Sequence, residues 1–168
     1  MDTTKIITLT VIGIIAMAIS LTVTQLFLRK AKSKSENDGK INLAYGILFL
    51  TWVIAFSLLN LKSISVLSEY IDTVYKTNSA NHLAEIAKTS VLFIGLTNVW
   101  LILWYFITQA FSLLIAGKRT DVNEIENNHY TYFLMKGIVF IGFVCCLMPV
   151  FEMLLRTFLP TIEIPYYR

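Results

Sequence analysis

A chain of 168 residues that is 56% hydrophobic and only 15% charged, with a mean hydropathy of +0.66, is too apolar for an ordinary soluble domain, in which about a quarter of residues are charged. The net charge of +3 is mild, and the one basic cluster lies between apolar runs, where membrane topology accounts for it without a nucleic-acid partner. The two cysteines, Cys145 and Cys146, are adjacent, which argues against a disulfide framework and for two small apolar fillers.

The first element is an uncharged run over residues 6–28. It is preceded by one acid and one base, Asp2 and Lys5, and followed by basic residues with no small-residue cleavage site. It is also longer than the apolar core of a signal peptide, so the expectation is a retained membrane span. Gly13, Ala16, Ser20 and Thr24 recur three or four apart, a stripe that lets another helix approach closely.

Residues 29–40 read as a short polar loop holding five basic residues. As the densest positive cluster in the chain, it is expected on the cytoplasmic side. Arg29, Lys30, Lys32 and Lys34 are candidates for contact with anionic lipid headgroups, at roughly 1 kcal/mol for each cation. Asn37-Asp38-Gly39 is a turn signal.

Spans two and three are the uncharged runs 41–61 and 91–116. Between them, residues 62–90 carry neither proline nor glycine. Ile64, Leu67, Ile71 and Val74 repeat at helical spacing, so the second helix is expected to continue to about Lys76, turn within 77–81, and return. Each arm would then be about 35 residues, roughly 50 Å long, about 20 Å more than a hydrocarbon core requires. The expected product is an antiparallel helical hairpin rising beyond the bilayer. Ile64, Leu67, Tyr70, Ile71 and Val74 are its candidate partner-binding residues.

Span three carries two side-chain amides, Asn98 and Gln109, expected to bond between helices. Trp100 and Trp104 share one face and are expected to pack. Gly117 ends the helix, and residues 120–129 form a mixed-charge loop. The fourth span is placed over about 132–157, with Lys136 snorkelling to the cytoplasmic face. Glu152 and Arg156 form an i,i+4 pair near a proline, Pro149, which is expected to kink the helix. The tail, residues 160–168, is expected to be extended and outside.

No phosphate-binding glycine loop, zinc-binding helix motif or nucleophile–base pairing occurs. His82 and His129 fall on opposite sides of the expected membrane, so they share no metal or haem; no cofactor is expected. The layout resembles that of small bacterial four-span proteins, a likeness of hydropathy that transfers no residue or activity. The expectation is an all-α four-helix bundle in a membrane, such as a bacterial inner membrane, with both termini and the hairpin outside the cytoplasm. Its expected role is that of a non-catalytic scaffold or anchor, which self-associates or docks other membrane or envelope proteins in an envelope or secretion complex. The alternative is a small transporter or channel subunit, with Asn98, Gln109, Glu152 and Arg156 along the path.

Overall fold

A computed structural model describes residues 3–37, 40–76, 82–117 and 119–159. The elements in order are α1 (Thr3–Ser35), β1 (Glu36–Asn37), β2 (Lys40–Ile41), α2 (Leu43–Lys76), α3 (His82–Ala116), α4 (Asp121–Glu126), α5 (Tyr130–Cys146) and α6 (Met148–Thr157). The chain is an all-helical bundle; β1 and β2 are only a two-residue antiparallel pair, Glu36 opposite Ile41 and Asn37 opposite Lys40, that closes the turn from α1 to α2. The turn expected at Asp38-Gly39, the turn expected within 77–81 and the tail 160–168 lie outside the described residues.

Apolar side chains build the long helices, and their hydroxyl residues do not interrupt them. Thr8, Thr22, Thr24, Thr51, Ser90, Thr97 and Thr108 each donate to the carbonyl four residues back, at 2.7–2.9 Å, so a polar group is satisfied without a partner helix. α1, α2 and α3 are long and apolar enough to cross a membrane, and α5 with α6 makes a fourth if the bent pair is one span. The expected single fourth helix is thus two, bent by 47° at Leu147. Pro149 sits in the first turn of α6, where its missing N–H costs nothing.

α2 is the centre of the bundle. It packs against α1, α3, α5 and α6, and Trp52, Ala55, Phe56 and Leu59 are wholly buried. Trp52 collects the rings of Phe27, Tyr105 and Phe140 at 4.7–5.9 Å between centroids. The small-residue stripe of α1 faces α2: Ser20 Oγ accepts from Asn60 Nδ2 at 3.0 Å, and a methyl on Gly13 would meet Ile64 at 3.4 Å. On the other side Gly137 of α5 lies so close that a Cβ there would stand 2.5 Å from the Thr51 hydroxyl.

Two further expectations are corrected. The basic stretch after residue 28 is not a loop: α1 continues to Ser35, because Lys and Arg are good helix formers and Ala31 and Ser35 have buried places to go. The hairpin stripe is not open to a partner either. Leu67, Tyr70, Ile71 and Val74 are buried, and Ile64 is half-buried, because α1 extends as far as the hairpin does and covers this face together with α3 and α6. Lys5 near the start of α1 reaches Asp72 at 2.6 Å, so three helices and not two run side by side at this end of the bundle.

Candidate functional site

The most demanding chemistry is at the end of the bundle where α3, α4 and α5 meet. Tyr105 and Gln109 are i,i+4 on α3, and Tyr132 and Lys136 are i,i+4 on α5, so each pair shares a helix face. Gly117, in the left-handed region at φ 72°, ends α3 and lets the short α4 turn back. Its first residue, Asp121, meets both faces.

Asp121 accepts from Lys136 Nζ at 2.5 Å, from Tyr105 OH at 2.9 Å and from Tyr132 OH at 3.0 Å. The ammonium also donates to Gln109 Oε1 and lies 4.9 Å from the centroid of the Tyr105 ring, a cation–π contact. Lys136 is 5% exposed, so its charge is neutralised in place and not carried to water. Removing two ions from water costs several kcal/mol each, which only close pairing and further hydrogen bonds offset. One carboxylate here receives three donors, and that is the compensation.

A second carboxylate supports the first. Glu124, 7% exposed, accepts from His129 Nδ1 at 2.8 Å and lies 3.5 Å from Arg119. The turn after α4 is clamped to the start of α2: Asn128, at φ 51°, accepts the Ala44 N–H at 3.1 Å, while Asn42 Nδ2 donates to the Ile125 carbonyl at 3.2 Å. Lys34 of α1 pairs with Glu126 at 2.6 Å. What reads in sequence as a mixed loop is therefore a plug that ties four helices together.

The residues singled out from sequence do not converge. Gln109 belongs to the cluster just described. Glu152 and Arg156 lie towards the opposite end, where they pair with each other at 3.0 Å and with Lys62 and Glu69 of α2 at 2.6 and 2.8 Å; Glu152 is not a carboxylate buried alone beside a proline. Asn98, between these ends, does not bridge helices: its Nδ2 donates to the Ile94 carbonyl of its own helix at 2.8 Å, and its Oδ1 has no partner among the described residues. Trp100 and Trp104 stack on Phe151 and Phe143, as packing requires. Arg29, Lys30, Lys32 and Lys34 line the same end as the plug, on the last turns of α1. Lys136 and Asp121 were missed as a pair, since 15 residues and a chain reversal separate them; the usable signal was the two Tyr-containing i,i+4 pairs at matching ends of neighbouring spans.

Among the described residues no cluster of His, Cys, Asp or Glu is arranged to hold a metal ion. No protein-family model matches the chain. No curated protein and no solved structure matches it either.

Proposed function

We propose that the protein is a non-catalytic membrane scaffold or anchor subunit, embedded by α1, α2, α3 and the bent pair α5–α6, whose partner is a second membrane-embedded chain seated on α1. The observation that carries this reading is the unequal covering of the long helices. Only 11% of the apolar window of α1 is buried, against 50% for α2. Ile7, Val11, Ile14 and Ala18 follow one another at spacings of four and three along its open face and are all exposed, which is the pattern of a helix-packing seam, with Ala18 permitting close approach.

The distribution of charge supports a structural role over a transport path. The ion pairs Lys5–Asp72, Lys62–Glu152, Glu69–Arg156, Lys34–Glu126 and Lys136–Asp121 each join two different helices, so these side chains brace the bundle. Of the residues of the transport alternative, Glu152 and Arg156 are occupied with each other and with Lys62 and Glu69 of α2, Gln109 accepts from Lys136, and Asn98 donates within its own helix. The basic end, with Arg29 to Lys34 and Arg119, faces the cytoplasm on the positive-inside rule. The beginning of α1 and the end of α6 then lie on the outer side, as in a bacterial inner membrane.

The test is site-specific photo-crosslinking in native membranes, with the probe at Ile14 or Ala18 of α1 and, for comparison, at Val99 on the exposed face of α3. The expected result is a discrete protein adduct, a dimer or a heteromeric band, from the α1 positions and none from Val99. Monomer with lipid adducts alone at every position overturns the docking role.

A further inference from the structure

A groove runs between the last turns of α1 and the start of α2, at the end of the bundle that carries the plug. It measures about 470 Å³, and Leu26, Arg29, Lys32, Ile41, Tyr45 and Phe49 line it. Its two walls differ in chemistry. Arg29 and Lys32, three apart, present their charges from one turn of α1. The rings of Tyr45 and Phe49 stack on the α2 side, 6.2 Å apart and 19° from parallel, and Leu26 extends the apolar wall away from the cations.

The charge state of the neighbouring cations decides what fits. Lys34 is held by Glu126 and Lys136 by Asp121. Neither Arg29 nor Lys32 forms an ion pair among the described residues, although both share the same end of the fold. Two cations with no ion pair among the described residues, at the mouth of an apolar trough, match a ligand with an anionic head and a hydrocarbon tail. Arginine recognises phosphate through its planar fork of donors, and lysine adds a point charge. We infer that this groove is a binding site for one anionic phospholipid, its phosphate between Arg29 and Lys32 and an acyl chain along Leu26, Tyr45 and Phe49. The inference rests on the membrane placement proposed above. It narrows the headgroup contact expected of four basic residues to two, since Lys34 is already paired and Lys30 lies outside the groove.

The test uses the full chain, reconstituted separately into phosphatidylcholine vesicles and into vesicles with one third phosphatidylglycerol, with thermal unfolding as the readout. A third arm adds inorganic phosphate to phosphatidylcholine vesicles. The wild type is expected to gain about 4 °C or more from phosphatidylglycerol, a shift of the size that bound ligands produce by mass action, and nothing from phosphate. Arg29→Gln with Lys32→Gln should lose at least half of that gain, whereas Lys30→Gln and the charge-preserving Arg29→Lys with Lys32→Arg should keep most of it. An undiminished gain in the double Gln variant, loss of the gain in the charge-preserving variant, or an equal gain from phosphate, overturns the site. Failure of the protein to enter phosphatidylcholine vesicles at all is a different result: it defeats the membrane placement itself.

Discussion

At the scale of single residues, the notable placement is a lysine with 5% exposure in an apolar bundle. Its position is explained by Asp121, and the two partners are not equivalent. Asp121→Ala leaves the Lys136 ammonium buried with only Gln109 Oε1 to accept from it, and breaking a buried pair in this way costs about 3–5 kcal/mol. Lys136→Met leaves a carboxylate that still accepts from Tyr105 and Tyr132, so the loss should be about half as large. The double variant, Asp121→Ala with Lys136→Met, should lose clearly less than the sum of the single losses, because no unpaired charge remains. Unfolding in mild detergent with increasing SDS measures all three. A double variant as unstable as the sum of the single losses would show that the pair is not coupled.

Among the elements, the tightest seam is that of α2 and α5, where Gly137 faces Thr51. Gly137→Ala removes the space occupied by the Thr51 hydroxyl, and because threonine is branched at Cβ it has few rotamers to retreat to. Overpacking of this kind costs about 1–3 kcal/mol. Thr51→Ala alone loses only a hydrogen bond within its own helix, to Ile47. In combination with Gly137→Ala it should restore stability to near that of Thr51→Ala, read as the midpoint of thermal unfolding. If the second substitution brings no rescue, the seam is not set by this contact. The same scale accounts for the bend at Leu147: Pro149 has no N–H to donate to the Cys145 carbonyl, and the α6 that follows pairs with α2 through Lys62 and Glu69.

On the scale of the molecule, the helices are in antiparallel register but their apolar runs are not level. Lys5 meets Asp72, Asn60 meets Ser20, and the Asn42 N–H meets the Ser35 carbonyl. The apolar residues 6–28 of α1 therefore stand beside about residues 50–72 of α2, offset from its own apolar run by about eleven residues, or roughly 16 Å. A bundle standing upright in a bilayer would leave one end of that offset in the wrong medium. Tilting moderates the mismatch, so the mean helix tilt is expected to exceed the roughly 20° average of membrane helices. Polarised infrared spectroscopy of oriented bilayers reads this directly; helices found within about 10° of the membrane normal would contradict the offset.

Apolar runs, their lengths and the charges between them were legible in the chain alone, because helix formation and partition into hydrocarbon depend on local composition. From these follow the helical class, three of the candidate spans and the apolar segments of a fourth, the break near Pro149, the pairing of Glu152 with Arg156 and the packing stripe of α1. The depth of each side chain was not legible. Leu67 and Ile71 look like an open stripe until α1 is laid over them, and Lys136 looks like a snorkelling cation until α4 folds back with Asp121. Only tertiary structure decided these points, since whether a charge is paired or a face is covered depends on which distant segment arrives beside it, and that is set by the register between helices and not by the sequence within one.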